Sequence, residues 1–204
     1  MIESTYVLKA DSVNLPLNIS EVNEHIKESF NSFDDSPYLK LLLKSIERLG
    51  ESFTRRTFVN KTFTNYRYYL PERFIIKKSK LQSIESFNYI DVDNVNQTIL
   101  SDNYFFTDDD DYSTVYFSDD FVYPLLNEKN YQRIIIDLVS GFGVDETFIP
   151  PDLKIAMLHH LAYLWRSKGD CAINGNVKSD FIVNSLPSSS RYIYSIYRIE
   201  DITI

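Results

Sequence analysis

The chain has 204 residues, of which 21 are basic and 29 are acidic, so its formal net charge is −8. No run approaches the roughly 20 apolar residues of a membrane-spanning helix, the N-terminus lacks the pattern of a signal peptide, and a single cysteine excludes an internal disulfide. We therefore expect a protein without a membrane segment that folds inside the cell. Because its net charge is acidic, we also expect that it does not grip nucleic acid by the phosphates.

Two helices are predicted in the first 57 residues. A short helix is expected over 20–28, where Ser20 can cap the first turn and apolar residues recur at helical spacing. A longer helix is expected over 36–56, with Pro37 in its first turn and a continuous apolar stripe. Gly50 falls on that stripe, where the missing side chain allows another part of the chain to approach closely.

Residues 58–140 are predicted to form an antiparallel β-rich insertion. Runs of strand-forming residues alternate there with polar turn clusters, and the runs lie at 62–70, 74–77, 84–90, 97–100, 104–107, 114–118 and 132–140. Short strands joined by polar turns favour a meander over β–α–β units. In the last run Ile134-Ile135-Ile136 and Leu138-Val139 surround a single Asp137, so we expect it to be a central strand.

A third helix is predicted over 151–168, after glycines that break the preceding strand. Its apolar residues cover most of its circumference, which is typical of a helix buried on several sides. This helix is the candidate for the centre of the fold or for a subunit contact. The residues we assign to that core or interface are Leu158, Leu161 and Trp165.

The segment 171–204 is predicted to be a linker followed by an arm. Its first part is polar and ends in a Pro/Ser-rich break, and its second part is aromatic and β-prone. A segment of this kind suits an arm that docks on a partner, for example by strand addition. The candidate docking residues are Arg191, Tyr192, Tyr194, Ile196, Tyr197 and Arg198.

These elements predict an α+β fold with four parts. Residues 1–57 and 141–170 supply a small bundle of about three main helices. The antiparallel β insertion 58–140 lies between the second and third helices, and 171–204 forms the linker and an extended C-terminal arm.

The sequence contains no residue pattern on which catalysis, a cofactor or a metal site could rest. His159 and His160 are adjacent on a predicted helix, so their side chains point about 100° apart and cannot share a metal. The acidic run Asp108, Asp109, Asp110 and Asp111 lacks the alternating acids and the glycine of an EF-hand loop. We therefore predict that the protein is not an enzyme, and we interpret the acidic run as a solvated turn. The functional alternative is that a ring lined with such loops would present negative charge to DNA and repel it.

Several motifs occur in an order known from one family. They are the opening 15–26, the helix 34–46, the block 136–156 with Gly141-Phe142-Gly143 and Ile149-Pro150-Pro151, the Trp165-Arg166 pair and the closing 186–198. In this order they resemble the head–tail connector, or portal adaptor, proteins of tailed bacteriophages. The resemblance spans most of the chain, although Ser140 replaces the family's usual alanine and the Glu-Asn-Arg that ends its third helix is missing.

The resemblance implies a structural protein of the virion neck that assembles in the host bacterial cytoplasm. Family members form a ring, commonly of twelve copies, which joins the portal protein to downstream neck or tail-completion proteins. The ring leaves a channel for genome packaging, retention and ejection, through which DNA passes without specific binding. The acidic run would face this channel, and the C-terminal arm would dock on the portal. The alternatives are a tail-completion, tail-terminator or other neck ring protein and, supported only by the two histidines and the acidic run, an unrecognised enzyme.

Overall fold

A computed structural model describes residues 4–109, 112–167 and 186–200. This part of the chain contains four α-helices and eight strands in antiparallel sheets, which confirms the α+β class. The chain divides into two compact units, each made from two segments. The sheet unit comprises Met1–Val13 and Asn60–Val144, and the helical unit comprises Asn14–Val59 and Asp145–Ile204. No helix in the described ranges is long and apolar enough to cross a membrane.

The sheet unit contains all eight described strands: β1 (Ser4–Ala10), β2 (Lys61–Arg67), β3 (Arg73–Ile76), β4 (Leu81–Ile90), β5 (Asn96–Thr98), β6 (Tyr104–Asp108), β7 (Ser113–Phe117) and β8 (Ile134–Ser140). Five of them form a sheet in the order β1-β2-β8-β4-β5, and three form a second sheet in the order β3-β7-β6. The last strand, β8, pairs with β2 on one side and β4 on the other, which confirms that it is central. The predicted meander is wrong for the larger sheet, because β8 enters between two strands that precede it in the chain.

The two sheets share one apolar core. It is formed by the inward residues of both sheets, namely Phe63, Phe74, Ile76, Leu81, Phe87, Ile99, Val115, Phe117, Ile134, Ile136 and Leu138. Ring centroids of Phe87 lie 5.2 Å from Tyr104 and 5.7 Å from Phe117, distances at which aromatic pairs attract each other. Part of the aromatic excess in the composition is therefore core.

The first strand corrects the expected N-terminal boundary. Residues 1–57 were predicted to belong to the helices, but Ser4–Ala10 forms β1 at the edge of the five-stranded sheet, paired with β2. Val7 and Leu8, which point to opposite faces of the strand, are both about half exposed. The strand therefore lacks the alternation of apolar and polar residues by which a half-buried strand is recognised.

The helical unit contains α1 (Ile19–Ile26), α2 (Pro37–Thr54), α3 (Pro151–Ser167) and α4 (Ser188–Ile196). The first helix begins after Asn18 instead of Ser20, because the Asn18 side chain accepts from the Glu21 N–H at 2.9 Å and the Glu21 carboxylate accepts from the Asn18 N–H at 3.2 Å. Ser36 caps α2 in a similar way, accepting from the Leu39 N–H at 3.3 Å.

The C-terminal segment is helical, so the prediction of an extended arm from Arg191 is wrong. The ring of Tyr194, fully buried, lies with its centroid 6.3 Å from those of Phe53 and Phe58. Burial of one face against the helical core outweighs the β-propensity of the tyrosines and isoleucines, because that propensity depends strongly on context. The predicted linker, as far as residue 185, lies outside the described residues.

Candidate assembly surfaces

The third helix forms the centre of the helical unit. Leu161 is fully buried, and Leu158 is half-buried. Trp165 is also half-buried, and its ring centroid lies 6.2 Å from Phe30 and 5.9 Å from Tyr38. Of the three residues assigned to a core or subunit contact, Leu161 therefore belongs to the core of this unit, and the other two keep part of their surface exposed.

The predicted docking residues separate into an exposed group and an anchoring group. The side chains of Tyr192 and Ile196 are 70% and 63% exposed, and they lie four residues apart on one face of α4. Arg191 and Arg198 are exposed as well. Tyr194 is fully buried, so in this fold it anchors α4 and is not available to a partner.

Hydrogen bonds hold α4 and the residues after it in the helical unit. The Ser190 hydroxyl donates to the Ala156 carbonyl at 2.8 Å, and the Tyr197 hydroxyl donates to the Asp152 carboxylate at 2.6 Å. Partial burial, together with the Asp152 carboxylate, raises the pKa of Tyr197 to about 12. The Ile199 N–H donates to the Thr54 carbonyl at 2.9 Å. The exposed face formed by Tyr192 and Ile196 therefore belongs to a helix that these hydrogen bonds hold in place.

The acidic run lies at a β-hairpin. Asp108 ends β6 and accepts a hydrogen bond from the hydroxyl of Ser113, the first residue of β7. The Asp109 N–H donates to the Tyr112 carbonyl at 2.9 Å and closes the turn. Both aspartates are exposed, whereas Asp110 and Asp111 lie outside the described residues. Within the described ranges, no cluster of His, Cys, Asp and Glu could hold a metal ion.

The two adjacent histidines lie in different environments. His160 is fully buried, neither ring nitrogen has a hydrogen-bond partner in the described structure, and burial lowers its pKa to about 4. His159 lies beside His25 of α1, with ring centroids 5.7 Å apart, in an open cleft that also includes Arg166. Sequence reasoning missed this cleft, because its residues come from three separate helices.

A long loop between β7 and β8 was also missed. It carries strongly exposed apolar side chains, with Val122 84%, Leu125 77% and Tyr131 80% exposed. Arg133 orders the loop: its guanidinium donates to the carbonyl of Tyr68 and, at 3.1 Å, to that of Asn127, and it lies 3.9 Å from the centroid of the Tyr68 ring. An ordered loop of this length is typical of a functional surface, and its many residues between two predicted strands could have indicated it.

A polar cluster connects four strands on the other face of the five-stranded sheet. The Asp137 carboxylate on β8 accepts from Lys9 at 2.6 Å, from Thr64 at 2.6 Å and from Ser86 at 3.1 Å. Burial alone would raise the pKa of Asp137, but these three hydrogen bonds together lower it. The single acid of the central strand therefore has a structural role, since it is bonded to β1, β2 and β4.

No protein-family model matches the chain, and a search of curated protein sequences finds no match. Solved structures do match. A chain from the neck of an empty gene transfer agent particle, computed with C6 symmetry, superposes with a TM-score of 0.72 at 13% identity, covering 97% of both chains. A chain from the virion of a native gene transfer agent particle gives a TM-score of 0.66 at 14% identity, again covering 97% of both.

A third match is a chain from the neck of a native gene transfer agent particle, computed with C12 symmetry. It has a TM-score of 0.63 and 15% identity and covers 98% of this chain and 97% of that one. These alignments include nearly every residue on both sides, so neither chain has a large part that the other lacks. At this level of identity they establish a shared fold.

Proposed function

We propose that the protein is a structural component of a phage-like virion neck, in which copies of the chain form a ring between the portal and downstream neck or tail proteins. The observation that carries the proposal is the match, over nearly the whole length of both chains, to chains from gene transfer agent necks. The motif order around Gly141-Phe142-Gly143 and Trp165 supports the same assignment. The proposal gives the chain no catalytic activity, cofactor or resident metal.

A ring of twelve copies is part of the proposal. Two of the matching chains come from necks computed with C6 and C12 symmetry, and both symmetries are compatible with a twelve-membered ring. In such a ring every copy uses one surface to contact the previous copy and a different surface to contact the next. The exposed apolar loop with Val122, Leu125 and Tyr131 is a candidate for one of these surfaces.

The exposed face of α4 is the proposed contact with the portal. Interfaces depend on a few buried anchors, among which tyrosine and arginine are enriched. Tyr192 is more exposed than the other large hydrophobic side chains of α4, and Arg191 is exposed beside it. Ile196 lies on the same face and extends the apolar area by one helical turn.

The acidic hairpin with Asp108 and Asp109 is proposed to face the channel, together with Asp110 and Asp111 of the same run. Twelve such hairpins would place many negative charges around a duplex that is itself negatively charged. Phosphate binding would slow the movement of DNA, whereas a repulsive wall allows it to slide.

The experiment that tests the proposal mixes the purified chain with the portal protein of the same particle and images the mixture by negative-stain electron microscopy. We expect rings of this protein stacked on portal rings along one axis. A chain that stays monomeric alone and with the portal, and that is missing from purified particles, would refute the neck assignment. Rings that bind the tail tube and ignore the portal would identify a tail terminator instead.

A matched pair of variants tests the α4 contact. Truncation of the segment from Arg191 is unsuitable, because it would remove the buried Tyr194 from the core. Tyr192→Ser changes an exposed side chain, and we expect portal affinity to fall by at least about tenfold. Phe148→Ser, which removes an aromatic ring that is 56% exposed and belongs to none of the proposed contacts, serves as the control and should leave portal affinity unchanged. An unchanged affinity in the Tyr192 variant would exclude this face of α4 as the portal contact.

A further inference from the structure

An open cleft on the helical unit combines basic side chains from two helices. It has a volume of about 630 Å³, and its described lining consists of His25 from α1, Ala162, Tyr163, His159 and Arg166 from α3, and Ser189 from α4. The imidazole rings of His25 and His159 are 5.7 Å apart between centroids, with an angle of 34° between their planes. A small anion or an acidic side chain fits a cleft of this size.

The charge of the cleft is opposite to that of the chain. The net charge of the protein is −8, yet the described lining contains arginine and two histidines and no carboxylate. Burial lowers the pKa of His25, and the electrostatic influence of three basic residues, His159, Arg166 and Lys27, lowers it further. The described lining therefore contains no acid that could pair with Arg166.

The other charged residues of the three helices are not part of the described lining; they are Glu21, Glu24, Asp152, Lys154 and Arg191. Glu24 is exposed, and the Asp152 carboxylate accepts the hydrogen bond of the Tyr197 hydroxyl. Glu21 of α1 is paired with Lys154 of α3, so its carboxylate is already occupied. On α4 the first charged residue after Ser189 is Arg191, which adds positive charge. Within the described structure, the Nδ1 atom of His159 is also buried without a hydrogen-bond partner, which is unfavourable for a polar atom.

We propose that this cleft binds an oxyanion, a phosphate or carboxylate group, held by the guanidinium of Arg166 and the imidazoles of His25 and His159. A guanidinium offers two parallel N–H donors to such a group, and charge-assisted hydrogen bonds of this type are stronger than those between neutral groups. Each imidazole contributes a further N–H, and the Ser189 hydroxyl lies in the same lining. All residues of this site belong to the helical unit of one chain, so binding can be measured whether or not the proposed ring forms.

The test uses the full chain with labelled histidines and follows the imidazole resonances by nuclear magnetic resonance. Sodium phosphate replaces sodium chloride at constant ionic strength. We expect saturable shifts of His25 and His159, with a dissociation constant on the order of 1 mM. Bound negative charge should also raise the pKa of His25, because it stabilises the protonated ring.

Two variants separate a site from general electrostatics. Arg166→Gln should weaken phosphate binding by at least about tenfold, because it removes a charge-assisted pair. Arg48→Gln, the same change at an exposed arginine of α2, should leave the dissociation constant unchanged. His25→Gln offers a second test in case the Arg166 variant fails to fold. In the His25 variant, the resonance of His159 should no longer show a saturable shift when phosphate is added.

Acetate in place of phosphate distinguishes the two sources of the oxyanion. Tighter binding of phosphate would identify a phosphate group as the ligand, and equal or tighter binding of acetate would identify a carboxylate; either result supports the site. Shifts that rise linearly without saturation, or that are the same in the Arg166 and Arg48 variants, would overturn it.

Discussion

At the scale of single residues, the buried ring of His160 makes the helical unit sensitive to acid. Its ring is fully buried beside Tyr194, with centroids 6.5 Å apart, and the described structure offers no hydrogen-bond partner to either nitrogen. A buried imidazole of this kind stays neutral, because protonation would place an unpaired charge in an apolar core. Its pKa in the folded protein is therefore about 4, well below the ordinary value of 6.5.

This difference predicts how stability depends on pH. Between pH 6.5 and 4 the unfolded chain binds a proton at His160 and the folded chain does not, so the free energy of unfolding falls as the pH decreases through this range. From pH 7 to pH 5 we expect His160 to account for a loss of about 2 kcal/mol. Urea unfolding followed by the fluorescence of Trp165, the only tryptophan of the chain, measures this in the helical unit.

The control is His160→Phe, which keeps a ring at this position and removes the titrating group. Between pH 7 and pH 5, the free energy of unfolding of this variant should fall by about 2 kcal/mol less than that of the original protein. If both proteins lose equal stability between pH 7 and pH 5, His160 is not the cause, and the low pKa is wrong.

At the scale of elements, Gly50 sets how closely α4 packs on α2. A Cβ atom placed on Gly50 would lie 2.7 Å and 2.9 Å from two ring carbons of Phe58 and 3.3 Å from a ring carbon of Tyr194. The first two distances are too short for real contacts. The close approach that the sequence suggested at this glycine is therefore observed, and α4 is one of the elements that makes it.

Gly50→Ala should therefore destabilise the helical unit, against the usual trend. Alanine normally stabilises a helix by about 1 kcal/mol relative to glycine. Here the rings of Phe58 and Tyr194 would have to move, and overpacking of this kind costs about 1–3 kcal/mol. Urea unfolding should show a net loss of stability, whereas Ser45→Ala on the exposed side of α2 should show none. A gain of stability in the Gly50 variant would mean that the rings of Phe58 and Tyr194 move aside at little cost, and it would contradict the prediction.

The sequence predicted α2 and α3 closely, because a cap, a proline and a long apolar period occur together in α2 and a proline starts α3. Most short strands were placed to within about two or three residues, for the same local reasons. The neighbours of β8 could not be predicted, since a pairing between distant segments leaves no local pattern. The helical state of α4 escaped prediction because burial of Tyr194 against α2 and α3 decides it. The basic cleft could not be predicted from the sequence, because His25, Arg166 and Ser189 are far apart in the chain.

At the scale of the whole molecule, the negative charge matters most where copies would meet DNA. Asp109 is exposed, and of the two described aspartates in the hairpin it is the one suited to substitution, because Asp108 is bonded to Ser113. If the hairpins line a channel, a change of charge at Asp109 is repeated in every copy of the ring. A small effect in one chain then becomes a large one in the assembly.

If the proposed ring forms and its hairpins line a channel, Asp109→Lys should convert a surface that repels DNA to one that retains it. We expect the variant ring to bind a short duplex in a fluorescence anisotropy assay, with an affinity that falls steeply as salt is raised. Glu28→Lys makes the same charge change at an exposed residue of the helical unit and is the control. Equal DNA binding by both variants would show that only net charge matters and would refute the proposed position of the hairpin in the channel.

The order of the strands also has a consequence for how the protein is made. The edge of β2 that lies inside the finished sheet is covered by β8, and 66 residues lie between Arg67 and Ile134 in the chain. At 5–20 residues per second, a ribosome needs ~3–13 s to synthesise that stretch. During this time the edge of β2 is an unpaired template, and unpaired edges are the usual starting points of aggregation. The yield of soluble chain therefore depends on how soon β8 emerges and inserts, whatever the stability of the finished sheet.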